Sequence, residues 1–125
     1  MRFRRVSYAY TLVLHPSPVA TQTAWRPAVD VYETPRLVSV TVELPGVDPE
    51  DVDVALFENA LVLEGRRHLP DLDAGGIYHT AEIRRGPFRA EIELPAQVDA
   101  EPREMRWDTG LLSVTFAKME SGGGR

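Results

Sequence analysis

Apolar and polar residues alternate along several short stretches of this chain, and two of these stretches end in the same way. Residues 37–44 alternate and then meet Pro45, and residues 88–94 alternate and then meet Pro95. A period of two indicates a β-strand with one buried face. Proline ends such a strand because it cannot donate a hydrogen bond to a neighbouring strand. The pattern therefore predicts two strands that stop at the Leu-Pro pairs.

Further short alternating stretches lie between turn signals. Their apolar rows are Val29 and Val31; Val52, Val54 and Leu56; Leu61 and Leu63; Met105 and Trp107; and Leu112, Val114 and Phe116. Ten prolines leave few windows for a helix. Roughly seven short strands, with turn signals about every 8–12 residues, are typical of an all-β, immunoglobulin-like β-sandwich. The two sheets of such a sandwich bury their inner faces against each other.

Three regions frame the predicted domain, which spans residues 25–118. Residues 1–24 form an N-terminal leader, and its apolar even positions 6–14 predict that part of it is extended. Residues 66–86 form a long insertion with Pro70 and the Gly75-Gly76 pair as breakers. A loop of this length is usually functional or disordered. Residues 119–125 form a short tail with the composition of a flexible linker.

Composition and charge exclude several classes of protein. The net charge of −5 argues against nucleic acid as a partner, and short basic groups such as residues 2–5 are interpreted as solvated strand ends. No apolar run approaches the roughly 20 residues of a membrane span, so a membrane is not an expected partner either. The lack of cysteine excludes disulfides and thiolate chemistry, and it fits a cytoplasmic location.

Candidate catalytic and metal-binding residues are few. His68 and His79 share the 66–86 loop with Asp71 and Asp73, but their spacing matches no known metal-ligand set. The sequence contains neither a Gly-x-Ser-x-Gly nucleophile motif nor a phosphate-binding glycine loop. We therefore predict that the protein is not an enzyme and that it binds no metal and no cofactor.

Four apolar residues on two short strands allow two interpretations. They are Val54, Leu56, Met105 and Trp107. If both strands lie at sheet edges, the four side chains line a groove for an apolar peptide. If the strands lie inside the sheets, the side chains fill the sandwich core. The alternation by itself favours the core.

Several motifs follow one another in a specific order. They are residues 27–33; Leu44-Pro45-Gly46-Val47 with Pro49-Glu50-Asp51-Val52; residues 61–67; Tyr78-His79-x-x-Glu82; Gly86-x-Phe88; Leu94-Pro95-x-x-Val98-Asp99; and residues 110–114. In this order and spacing the chain resembles the small heat shock proteins, which are built on the α-crystallin domain. The resemblance covers residues 25–118.

The resemblance implies an ATP-independent holdase chaperone, which binds partly unfolded proteins under stress and prevents their aggregation. It also implies a homodimer in which a strand near residues 77–81 of the long loop is exchanged and pairs with residues 27–32 of the partner. The implied dimer-interface residues are Val29, Val31, Tyr32, Ile77, Tyr78, His79 and Glu82. The resemblance further implies a groove that binds a client or a partner's tail. Its lining residues are Val54, Leu56, Met105 and Trp107, so the resemblance favours the groove interpretation over the core interpretation.

Two other functions are weighed against the holdase. A co-chaperone or adaptor module with the same sandwich would bind one defined protein partner. The long 66–86 loop argues against it, because relatives of that kind usually lack the exchanged strand. A ligand-binding or hydrolytic sandwich would need convergent polar groups, which the sequence does not show.

The chain departs from the family pattern in four places. No Ile-x-Ile-like motif follows Lys118, so dimers or small oligomers, held partly by the leader, are expected in place of large tail-mediated assemblies. Ala90 stands where relatives have an arginine, with Arg89 beside it, and Thr109 stands where they have an asparagine. The N-terminal segment is short and β-like, so its client-binding role is assigned by position. The sequence does not set the clients, the inducing stress or the oligomer size.

Overall fold

The computed structural model describes residues 2–6 and 24–120, which form eight β-strands and one short 3-10 helix. The strands are β1 (Arg2–Val6), β2 (Val29–Glu33), β3 (Leu37–Glu43), β4 (Val52–Phe57), β5 (Ala60–Arg67), β6 (Gly86–Glu93), β7 (Glu104–Asp108) and β8 (Leu111–Ala117). The predicted all-β class is confirmed. The predicted tail beyond residue 120 and the even positions 8–14 of the leader lie outside the described residues.

The strands form two four-stranded sheets. The first sheet has the order β1-β4-β5-β6, and the second has the order β2-β3-β8-β7. Every pairing between these strands is antiparallel except that of β1 with β4. Antiparallel strands with one covered face favour alternation of apolar and polar residues, which is the pattern seen along β3 and β8. The predicted sandwich is therefore confirmed.

Both Leu-Pro pairs follow the end of a strand. β3 ends at Glu43 and β6 ends at Glu93, one residue before each leucine. Leu44 and Leu94 are buried, and their amides donate to the carbonyl oxygens of Gly110 at 2.7 Å and Asn59 at 3.1 Å. Each leucine therefore ties the end of its strand to a turn elsewhere, and the following proline has no N–H left to pair.

The core lies between the two sheets and consists of the alternating apolar rows. Its largest completely buried side chains include Phe88, Phe116, Leu44, Leu61, Leu63 and Leu112. Burial of each such side chain contributes about 1.5–3 kcal/mol of hydrophobic free energy. The sheets are therefore held together mainly by residues that the alternation identified.

The turn between β7 and β8 packs directly against the first Leu-Pro pair. Gly110 has φ +85°, and a Cβ atom built on it would lie 2.9 Å from the Cα atom of Pro45. Thr109 has φ +50°, a region that a β-branched residue rarely adopts, and its hydroxyl donates to the Asp108 carbonyl oxygen at 2.6 Å. Threonine therefore occupies this turn in a conformation that asparagine adopts more readily.

Residues 68–85 connect β5 to β6 without forming a strand or a helix. Residues 68–84 are all exposed. The strand predicted near residues 77–81 is therefore not formed within the single chain, and its formation against a partner stays a prediction.

Candidate interaction edges of the sandwich

The predicted groove residues lie on β4 and β7, which belong to different sheets. Val54 and Leu56 of β4 are 0% and 4% exposed. Met105 and Trp107 of β7 are half-buried and pack against the same core cluster. The structure thus brings all four side chains to one apolar region, with only the β7 pair partly open to solvent. The use of this region as a binding groove stays a prediction.

β1 covers the side of β4 that would otherwise be the free edge of the first sheet. The parallel register runs from Arg2 beside Asp53 to Val6 beside Phe57. Phe3 is half-buried, and its ring centroid lies 6.2 Å from that of Phe116 on the opposite sheet. The β4 side of the predicted groove is therefore occupied by the first residues of the same chain.

Phe3 is a residue of this region that the sequence analysis did not single out. Three arginines surround it, so residues 2–5 were interpreted as a solvated basic strand end. The one local sign of its role is the phenylalanine itself. An apolar residue between two arginines fits the alternation of a strand with one apolar face. No local pattern indicates that this strand pairs with β4, because the two are distant in sequence.

β7 forms the other side of the predicted groove and carries alternating charges. Glu104, Arg106 and Asp108 are exposed between the two apolar residues, and Arg106 Nη1 lies 3.8 Å from Glu104 Oε2. Within the described residues, β7 pairs only with β8, so its outer side is open. Charged side chains on an edge strand discourage pairing with unintended strands. β7 is thus an open edge whose apolar residues have a polar rim.

β2 forms the opposite edge of the second sheet, and it carries three of the predicted dimer-interface residues. Val29 is half-buried, whereas Val31 is 43% and Tyr32 is 69% exposed. These side chains lie on a strand that pairs with β3 on one side only in the part of the chain that the structure describes. The outer side of β2 therefore offers free backbone groups beside exposed apolar side chains.

The 68–85 loop carries the other four predicted interface residues. Ile77 is 77% and Tyr78 is 56% exposed, and His79 and Glu82 also face solvent. Of the nine exposed large apolar side chains among the described residues, seven lie on β2 or on this loop. Exposed apolar side chains of this size are candidates for contact with another molecule, and here they fall on these two elements.

The two ends of this loop are held by a cluster around Arg67. Arg67 Nη1 donates to the Arg84 carbonyl oxygen at 2.8 Å, and its guanidinium carbon lies 4.5 Å from the centre of the Trp25 ring. Trp25 Nε1 in turn donates to the Gly86 carbonyl oxygen at 3.2 Å. The loop therefore leaves the sandwich from a defined stem, while its middle is exposed.

Arg67 is an unusual member of this stem because it is buried. Burial lowers the pKa of its guanidinium, nearby Arg85 lowers it further, and Glu43 acts in the opposite direction. Its Nε atom is buried and has no hydrogen-bond partner among the described residues. Stacking on Trp25 compensates part of this cost through a cation–π contact.

Arg89 lies on β6 beside Ala90 and pairs with two carboxylates. Arg89 Nε lies 3.0 Å from Glu64 Oε2, and its Nη1 lies 3.3 Å from Glu91 Oε1. Ala90, where the resemblance implies an arginine, is buried on the core side of the same strand. The arginine of this chain is therefore directed to the outer face of the first sheet, where it pairs with two carboxylates.

The described residues show no arrangement suited to a metal ion, since no three His, Cys, Asp or Glu side chains are grouped in that way among them. His68 contacts Asp51 instead, with 2.9 Å between Nε2 and Oδ2. Across residues 2–6 and 24–120, the structure contains no helix with the length and apolarity of a membrane span.

Sequence comparisons agree with this architecture. The Hsp20/alpha crystallin family matches residues 30–123. Heat shock protein 16 of Schizosaccharomyces pombe is 38% identical over 96 residues, which cover 75% of this chain and 67% of that protein. Small heat shock protein C2 of Rickettsia felis is 30% identical over 107 residues, which cover 86% of this chain and 70% of that protein.

Solved structures show the same sandwich. Heat shock protein 16.0 from Schizosaccharomyces pombe matches with a TM-score of 0.69 and 34% identity, covering 83% of this chain and 94% of that chain. A small heat shock protein from Xylella fastidiosa matches with a TM-score of 0.70 and 28% identity, covering 82% of this chain and 94% of that chain. The likeness spans most of the domain predicted from the sequence.

Proposed function

The chain belongs to the Hsp20/alpha crystallin family, the small heat shock proteins, and from this premise we propose that it is an ATP-independent holdase. A chaperone role in the stress response follows from the family. In the proposal, the protein binds partly unfolded clients in the cytoplasm and keeps them from aggregating. Such binding acts by mass action on exposed apolar surface and needs no chemical step.

The location of the apolar surface carries this proposal. Exposed large apolar side chains concentrate on β2 and the 68–85 loop, and the half-buried Met105 and Trp107 lie on the open edge β7. An open sheet edge can add an extended segment through backbone hydrogen bonds while apolar side chains beside it are covered. Partly unfolded proteins offer both extended backbone and apolar side chains.

Light scattering of a heat-denatured client tests the holdase proposal. We expect equimolar protein to suppress client aggregation without ATP, and we expect Trp107→Ala to weaken this suppression because it removes apolar surface from β7. Met119→Ala is the matched control, since Met119 is exposed outside both edges. Client aggregation that is unchanged by the protein over a range of temperatures would disprove the holdase function.

We further propose that the protein forms a homodimer through β2 and the long loop. A strand near residues 77–81 of one subunit would pair with residues 27–32 of its partner and complete the open edge of β2. The support is the exposure of Val31, Tyr32, Ile77 and Tyr78 in the single chain. Covering them would remove apolar surface from water, and pairing would satisfy the backbone groups of an edge strand.

Native mass measurement tests the dimer. Ile77→Asp should convert dimers to monomers, because it places a charge in the covered strand. Leu72→Asp is the matched control, since Leu72 lies in the same loop, is exposed, and falls outside the proposed strand. A dimer that survives Ile77→Asp as well as it survives Leu72→Asp would contradict the exchange.

A further inference from the structure

Two arginine pairs that lie far apart in sequence meet at one end of the first sheet. Arg66 and Arg67 end β5, and Arg84 and Arg85 come directly before β6. The antiparallel register places Arg67 opposite Gly86, and Arg67 Nη1 donates to the Arg84 carbonyl oxygen at 2.8 Å. The fold therefore brings the two pairs together at the stem of the long loop.

One open cleft at this stem is lined mainly by basic residues. It has a volume of about 490 Å³, and its lining residues are Arg66, Arg67, His68, Leu69, Arg85 and Gly86. The lining thus contains three arginines and one histidine, and none of its members is acidic. The cleft therefore carries a local positive potential, although the net charge of the whole chain is −5.

The two more accessible arginines of this cleft have no carboxylate partner in the part of the chain that the structure describes. Arg66 and Arg85 take part in none of its ion pairs, and Arg85 Nη1 reaches the His68 carbonyl oxygen at 3.4 Å. Asp51 contacts the histidine from outside the cleft, with 2.9 Å between Oδ2 and Nε2. The positive charge of the two arginines is therefore not neutralised by a direct contact.

Arg67 is the buried member of the cleft, and it too lacks acceptors. It is 8% exposed, and its Nε atom is buried without a hydrogen-bond partner among the described residues. A guanidinium has five N–H donors, and the bond from Nη1 to Arg84 uses one of them. Burial lowers the pKa of Arg67 and nearby Arg85 lowers it further, against the opposite effect of Glu43. The cleft therefore holds more donors and more positive charge than the described chain balances.

We propose that this cleft binds a small soluble polyvalent anion of the phosphate class, with Arg66, Arg67 and Arg85 as its main ligands. Guanidinium groups bind phosphate oxygens through paired, charge-assisted hydrogen bonds. A chain of phosphates offers more oxygens and more charge than one carboxylate, so it can contact several arginines at once. The bound anion joins the end of β5 to the end of the long loop. The site lies outside residues 27–32 and 77–81, so it is independent of the proposed dimer and of the holdase.

Fluorescence of Trp25 in the full chain tests the site. The guanidinium carbon of Arg67 lies 4.5 Å from the centre of the Trp25 ring, so the emission of this tryptophan responds to an anion at the arginine. Trp107→Phe removes the other tryptophan. In this background at low ionic strength, we expect tripolyphosphate to change the emission in a saturable manner and calorimetric titration to show the same saturation. The half-saturating concentration should rise in high salt, because salt screens the charges.

Single substitutions separate the cleft from the general charge of the surface. Arg66→Gln and Arg85→Gln change residues that are at least partly open to solvent, and each should raise the half-saturating concentration about tenfold or more, as expected for one hydrogen bond to a charged group. Arg36→Gln is the matched control, since Arg36 is exposed and lies outside the cleft, and it should leave that concentration unchanged. Citrate at the same ionic strength offers carboxylates in place of phosphates and should bind at least about tenfold more weakly.

Four results would overturn the proposal. No saturation below about 10 mM tripolyphosphate in either measurement would mean that the cleft holds no anion. The same half-saturating concentration in Arg66→Gln, Arg85→Gln and Arg36→Gln would assign the binding to overall surface charge. Citrate that binds as tightly as tripolyphosphate would remove the preference for phosphate. An affinity that rises when the protein is diluted would assign the cleft to carboxylates of a second copy of the chain.

Discussion

Strands β4 and β2 have similar sequences, but one has a strand along its outer side and the other does not. Val54 on β4 and Val31 on β2 are both valines in alternating strands, yet Val54 is completely buried and Val31 is 43% exposed. β4 has β1 along its outer side, whereas nothing in the described chain pairs with the outer side of β2. The difference teaches that one sandwich can pair one sheet edge with a strand of its own chain and leave another edge unpaired among the described residues. Local sequence alone does not distinguish the two.

The largest expected difference is in stability, between the covered strand β4 and the exposed 68–85 loop. Leu56→Ala should lower the free energy of unfolding by about 2–5 kcal/mol, because it leaves a cavity beneath β4. Leu72→Ala in the exposed loop should change it by no more than about 0.5 kcal/mol. Denaturant unfolding at one fixed protein concentration measures both. Equal losses at the two positions would remove the distinction between a covered and an open region.

An intermediate effect is expected at β7, which lies across the predicted groove from β4. Trp107 is half-buried, so Trp107→Ala should cost about 2 kcal/mol, below the roughly 3–5 kcal/mol of a fully buried tryptophan. The same denaturant unfolding measures this loss, alongside any weakening of client binding. A loss in the fully buried range, with client binding unchanged, would place Trp107 in the core and leave no groove on this side.

The smallest effect is expected on the outer face of the first sheet, away from both edges. Arg89→Gln removes ion pairs with Glu64 and Glu91 that are partly open to solvent, and it should cost about 0.2–1 kcal/mol. The difference from the unsubstituted protein should shrink in high salt. Arg26→Gln, an exposed arginine without an ion pair to the described residues, is the control. A loss that high salt leaves unchanged would mean that Arg89 acts through packing.

The strands could be predicted from the sequence because each one is a local pattern. The rows around Val40 and Val114 alternate strictly, since both strands have one face on the core and one towards solvent. The Leu-Pro ends were predicted for the same reason, as proline acts on its own strand. The short 3-10 helix Pro49–Asp51 was not predicted, although Asp48 caps it by accepting a hydrogen bond from the Glu50 amide at 3.0 Å.

The site could be predicted only in part, because its features depend on contacts between distant residues. The core contribution of Val54 and Leu56 follows from alternation, but their covering by β1 does not. No local pattern indicates that Arg67 is buried, because its burial involves the approach of the distant Trp25. The exchanged strand proposed near residues 77–81 would involve a second subunit, so its test needs the assembled protein.

β1 also determines which residues lie at the outer edge of the first sheet. Once β1 is in place, the outermost strand of that sheet has three arginines among its five residues. Another copy of the same strand, arriving at this edge, would bring like charges opposite one another, which disfavours pairing. Charged residues of this kind act as gatekeepers that stop strand addition and fibre growth. The sequence of β1 thus combines a strand that pairs with β4 and charged residues of a kind that disfavours further strand addition.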